Sequence, residues 1–138
     1  MGDAAVREAA CACGGLKLRL KGDPEYVSSC ACQACQRRTG APFGVTAIFS
    51  QDQVIEQSGE AKVWRRIAER GAWIDYSFCP TCGTTVSWLA EGRPGKIMAA
   101  GGCFADKDFP PPQRMIWTEH RADWVRPPEG VPEYTGPP

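Results

Sequence analysis

What this sequence lacks narrows its function before any motif is read. It has no charge imbalance: Lys and Arg number 16, and so do Asp and Glu. No global field draws it to DNA, RNA or an acidic membrane, and nucleic acid is not expected among its partners. No apolar run approaches the roughly 20 residues that span a bilayer, so no membrane partner is expected either. The opening Met1-Gly2-Asp3-Ala4-Ala5-Val6 has no charged-then-apolar export profile, and Val6 stands where a myristoylation motif needs Ser or Thr. A cytoplasmic protein is the default expectation. There is no internal repeat and no helical periodicity beyond about three turns. Histidine is nearly missing: His120 is the single one, and such a residue near a chain end is more often incidental than a proton donor.

Cysteine, in contrast, is abundant. Eight cysteines stand among 138 residues, seven of them in tight groups: Cys11/Cys13, Cys30/Cys32/Cys35 and Cys79/Cys82, with Cys103 alone. Eight thiols allow 105 disulfide pairings, yet a chain without an export signal is expected in a reducing compartment. The spacings C-x-C, C-x-C-x-x-C and C-x-x-C also suit metal chelation better than long loop closure.

The remainder reads as one domain of mainly β structure. An apolar fraction of 43% and a charged fraction of 23% are ordinary for a globular protein. Residues 1–8 read as a flexible arm, 9–126 as the zinc-binding domain, and 127–138 as a Pro/Gly-rich tail, extended or mobile. Leu16-Lys17-Leu18-Arg19-Leu20-Lys21 alternates strictly and predicts a half-buried strand. Tyr26–Ser29, Phe43–Phe49, Trp73–Phe78, Thr84–Leu89, Lys96–Ala100 and Met115–Trp117 predict further strands, with weaker signals at Val54-Ile55 and Val63–Ile67. Cys32–Cys35 predicts a turn or one helical turn, ending at Gly40-Ala41-Pro42. Asp123-Trp124 is expected to anchor the tail. The five tryptophans are most economically packing residues, although one could line a ligand cleft.

The two outer pairs offer four thiolates from two short turns, enough to close a tetrahedral zinc. In Cys79-Pro80-Thr81-Cys82-Gly83 the proline sets the turn and the glycine relieves its far side. Cys11, Cys13, Cys79 and Cys82 are therefore expected to hold a structural zinc. The trio Cys30, Cys32 and Cys35 offers three ligands, which leaves a fourth position for exchange. Three thiolates lower the Lewis acidity of the ion, so such a centre makes hydroxide poorly and prefers a soft fourth ligand such as a thiolate. A captured thiol held in its thiolate form is nucleophilic. Cys103 is the open alternative. With Gly101-Gly102 beside it, it could reach the trio and close the second zinc, or be a small buried thiol.

Cys-x-Cys-Gly near the start, Cys-x-Cys-x-x-Cys with a following Arg and Gly, Cys-Pro-x-Cys-Gly, and Gly102-x-x-x-Asp106 together resemble the glutathione-dependent formaldehyde-activating enzyme family, which includes a centromere protein, V. The resemblance implies an Mss4-like fold of short antiparallel strands cross-linked by two zincs. It implies that Cys30, Cys32 and Cys35 hold the catalytic one, and that glutathione enters through its sulfur to be joined to formaldehyde as S-hydroxymethylglutathione. Ala31 replaces a common histidine, and Gln36 separates the trio from Arg37 and Arg38. Those two arginines could bind carboxylates of the thiol ligand, although for either alone surface charge is the plainer reading. Asp106 reads as a turn former. The expected function is that of a carbon–sulfur lyase or synthase acting on a glutathione-like adduct. The alternative is a non-catalytic, zinc-stabilised protein-interaction module.

Overall fold

The alternation at Leu16–Lys21 becomes a strand that buries Leu18 and Leu20 and leaves the basic side chains facing water. A computed structural model describes residues 5–137. In chain order the strands are β1 (Val6–Ala10), β2 (Lys17–Lys21), β3 (Tyr26–Cys30), β4 (Gly44–Ser50), β5 (Val54–Ser58), β6 (Lys62–Ile67), β7 (Trp73–Phe78), β8 (Thr85–Ala90), β9 (Lys96–Ala100) and β10 (Met115–Ile116). One α-helix, α1 (Gln33–Thr39), follows β3. The fold is mainly β, as expected.

Two sheets pack face to face. The smaller has the order β1-β2-β5 and the larger β10-β3-β4-β9-β8-β7-β6. All pairings are antiparallel except β10 on β3, which is parallel, so the larger sheet is mixed. Leu18 and Leu20 from one sheet meet Val27, Ala47, Phe49, Val86, Ile97 and Ala99 from the other, with Phe104 closing the end of this core. Full burial of a side chain such as Phe49 or Leu20 contributes about 1.5–3 kcal/mol. The outer face of the larger sheet carries Ile48, Tyr76, Trp88 and Met98, a second apolar layer. In β8 both Val86 and Trp88 are buried although they belong to opposite layers. The pairing slips where Ser77↔Ser87 gives way to Phe78↔Thr85, and that bulge turns Val86 inward.

Two terminal expectations change. Of the supposed N-terminal arm, residues 1–4 lie outside the described residues, but Val6–Ala10 form β1, in register with β2 from Val6↔Lys21 to Ala10↔Lys17. Val6-Arg7-Glu8-Ala9-Ala10 has little strand propensity of its own; the strand is held by its pairing with β2 and by the burial of Ala9 in the core. At the other end the tail is extended and held. Met115 N–H donates to Pro132 O at 3.0 Å, and Tyr134 N–H donates to Met115 O at 2.9 Å. Its anchor is Val125, 4% exposed, whereas Trp124 is 76% exposed and faces solvent.

Candidate metal centres and the adjoining cavity

The β1–β2 and β7–β8 turns meet, and four sulfurs meet with them. Cys11, Cys13, Cys79 and Cys82 have all their Sγ atoms within 4.8 Å of one another. Cys11–Cys13 and Cys13–Cys79 separations are 3.6 and 3.7 Å. Four bonds of about 2.3 Å in a tetrahedron place sulfurs about 3.8 Å apart, so the donor set fits zinc. Each turn closes on itself: Gly14 N–H donates to Cys11 O and Gly83 N–H to Cys79 O, with φ of 79° and 80° at the two glycines. That left-handed backbone is one glycine adopts at little cost. Leu16 N–H points at Cys11 Sγ (3.2 Å), while the Thr84 hydroxyl lies 3.3 Å from Cys82 Sγ. The Thr84 hydrogen bonds pull the Cys82 thiol down to about 5, a thiolate ready for a cation. These residues could hold the first zinc.

The second group is Cys30, Cys32 and Cys35, whose Sγ atoms also lie within 4.8 Å of one another. Cys30 ends β3. Cys32 is the N-cap of α1, its sulfur accepting from Cys35 N–H at 3.3 Å, and α1 stops at Gly40 in left-handed geometry. Capping thus folds the C-x-x-C spacing into a turn that aims both sulfurs one way. The three thiols share their first negative charge. Hydrogen bonds from Cys30 and Cys35 hold Cys32 far below the ordinary thiol range, helped by the Arg66 guanidinium, and Cys30 is pushed up correspondingly. The trio could hold the second zinc through three thiolates.

Cys103 does not join the trio. It packs against the inter-sheet core, with Thr85 O 3.7 Å from its sulfur, and burial pushes its thiol up. The neighbouring Gly101 serves a different contact from the one expected: a Cβ there would meet Val45 Cγ1 at 2.7 Å. The small residue lets the chain pass β4.

Beside the trio, the outer face of the larger sheet forms the floor of a cavity of about 540 Å³. Ile48, Ile74, Tyr76, Trp88 and Met98 supply an apolar surface, and the three cysteines, Arg66, Arg70, Arg93, Arg114 and His120 also line it. Arg37 and Arg38 do not. The α1 turn carries both into a neighbouring hollow with Trp64 and Phe78. The Arg38 guanidinium lies 4.4 Å over Trp88 and 5.9 Å from Tyr76, pressed so close to Gly44 that a Cβ there would stand 2.8 Å from Nη2. It braces the aromatic wall.

Gln36 has a specific task. Its amide nitrogen donates to Ala31 O at 2.8 Å and His120 O at 3.0 Å, tying the trio turn to the C-terminal segment. His120 therefore reaches the cavity, its ring against Trp117 and its Nε2 3.4 Å from Glu119. Asp106 is structural, accepting from Asp108 N–H at 2.9 Å. The cavity arginines were not found from sequence. The signal for Arg66 is period-two phasing: with Trp64 it shares the face on which Tyr76 lies, whereas Arg65 takes the other.

The family model described as glutathione-dependent formaldehyde-activating enzyme matches residues 6–120. Among solved structures, a Rhodobacter sphaeroides protein is similar, with a TM-score of 0.55 at 16% identity, covering 91% of this chain and 98% of that one. At that identity the likeness bears on the fold.

Proposed function

The chain belongs to the glutathione-dependent formaldehyde-activating enzyme family, and on that premise we propose that it forms or cleaves a carbon–sulfur bond in an adduct of glutathione or a similar thiol. One observation carries this reading. Three thiols converge in the lining of a cavity, with no fourth cysteine, histidine or carboxylate in their group among the described residues. Cys103, which would have closed the centre, is elsewhere. Zinc held by Cys30, Cys32 and Cys35 would supply a soft centre that keeps an incoming thiol deprotonated at neutral pH. In the synthetic direction the sulfur lone pair forms a bond to the aldehyde carbon, the carbonyl π pair moves to oxygen, and that oxygen takes a proton. Cleavage reverses each transfer. Ile48, Trp88 and Met98 would offer the reacting carbon an apolar surface, and His120, which also lines the cavity, could deliver the proton.

A set of eight free thiols is consistent with the cytoplasm. Among the described residues, no helix is long and apolar enough to cross a membrane. The balanced charge favours a small-molecule partner over nucleic acid. A second reading, a zinc-stabilised interaction module, draws on the edge strand β6, where Val63, Trp64 and Ile67 are all exposed. Isothermal titration of glutathione into the zinc-loaded protein separates the two. Saturable binding that Cys32→Ser abolishes supports the enzyme; no binding to the unaltered protein supports the module.

A further inference from the structure

The cavity beside the trio has a lopsided charge. Among the described residues its lining includes Arg66, Arg70, Arg93 and Arg114, against a single carboxylate, Glu69. Several arginines elsewhere have carboxylate partners: Arg7 with Asp23, Arg65 with Asp75, and Arg121 with Glu133. None of the four cavity arginines makes a salt bridge among the described residues. Four unpaired guanidiniums around an apolar floor imply an anionic occupant.

Two of the four are half-buried and come from opposite margins of the larger sheet. Arg66 lies on the edge strand β6, and Arg114 immediately precedes β10 at the other edge. Arg114 is already oriented. Its Nε donates to the buried Ser28 hydroxyl at 3.2 Å, and its guanidinium lies 4.8 Å over Tyr26. That leaves both terminal nitrogens for a ligand, the fork that matches a carboxylate. Arg66 lies beside Tyr76 and within the field of Cys32.

Resting on the thiol-capture reading above, we infer that this cavity selects a thiol whose sulfur lies between two separated carboxylates, with Arg66 and Arg114 as its specificity-determining residues. Two cations at opposite margins suit two separated anionic ends. One compact, multiply charged phosphate would instead call for converging cations. The sulfur goes to the trio, and the aliphatic body of the ligand lies over Ile48 and Met98. Glutathione has this pattern, whereas 2-mercaptoethanol has the thiol alone. Arg37 and Arg38, which the sequence put forward for this task, line the neighbouring hollow, which shares Arg66 and Tyr76 with this cavity.

Titration calorimetry on the zinc-loaded protein tests this with three ligands: glutathione, glutathione diethyl ester, in which both carboxylates are blocked and the thiol is intact, and 2-mercaptoethanol. The ester and 2-mercaptoethanol should each bind about ten- to a hundredfold more weakly than glutathione, the range for losing charge-assisted hydrogen bonds. Arg66→Gln and Arg114→Gln should each weaken glutathione about tenfold or more and leave the ester unchanged. Equal affinity for glutathione and ester in the unaltered protein would overturn the inference while leaving thiol capture standing, and that comparison needs no variant to fold. Variants that weaken both ligands alike would also overturn it, since the arginines would then act only on the structure. If no thiol binds at all, the reading it rests on fails with it.

Discussion

At the scale of the residue, the two cysteine groups differ in what each removal should do. Cys79 is buried and its group ties the β1–β2 turn to the β7–β8 turn. Cys79→Ser should therefore lose one zinc per chain together with the cooperative thermal transition, since metal-binding energy at such a site is folding energy. Cys32→Ser should lose the other zinc and keep the transition within several degrees. Metal analysis and calorimetry on the same samples check both. These groups were legible from spacing alone, because sulfurs two or three residues apart on a turn have few ways to point apart. The place of Cys103 was not legible: an isolated cysteine carries no spacing, and its position depends on how Gly101 slides past Val45. Arg66 was equally hidden, since Arg65 and Arg66 look alike until strand phasing sends one to solvent and the other to the cavity.

At the scale of the element, turns and edges decide how well the sheets hold. Gly59 sits between β5 and β6 at φ 95°, and a Cβ there would lie 1.8 Å from Gly15 O, backbone of the β1–β2 turn. Gly59→Ala should cost about 2 kcal/mol or more, combining left-handed strain with a contact that cannot relax by side-chain rotation. Urea denaturation measures it; an unchanged midpoint would show that the two turns move apart freely. The edge strand β6 is pinned differently. Arg65 pairs Asp75 across the β6–β7 register through two bonds of 2.7 and 3.0 Å. The Arg65 hydrogen bond lowers the Asp75 carboxyl below its ordinary value of 3.8. Its stabilising contribution is complete above that ordinary value and is lost as pH falls through the lowered one. Asp75→Asn should therefore lower stability modestly at neutral pH, match the unaltered protein once pH has fallen through the lowered value, and so flatten the acid limb of the stability–pH curve; all three are read from thermal midpoints across pH. Strands such as β2 and β7 were legible because half-burial imposes alternation on them. The first strand, β1, was not, since Ala9 and Ala10 carry almost no propensity and are held by β2 and the core beneath.

At the scale of the whole molecule, the larger sheet works on both faces. One face builds the core with the smaller sheet, and the other, through Ile48, Tyr76, Trp88 and Met98, floors the cavity. Sequence patterning showed strands but not this division, because the cavity faces of β4 and β9 mix Ile48 and Met98 with Thr46, Ser50 and Lys96 and so carry no clear polar or apolar signature. The C-terminal segment closes one margin: Gln36 ties α1 to His120, and the tail hydrogen-bonds to Met115. What results is a rigid platform with one group of four thiols and one group of three, the latter opening on a ligand-sized space. The most direct test of that arrangement is zinc X-ray absorption on the two-zinc protein before and after glutathione. Seven sulfurs shared by the two ions, with one lighter scatterer that glutathione replaces by an eighth sulfur, is the expected result. Eight sulfurs from the outset, unaltered by the thiol, would contradict it.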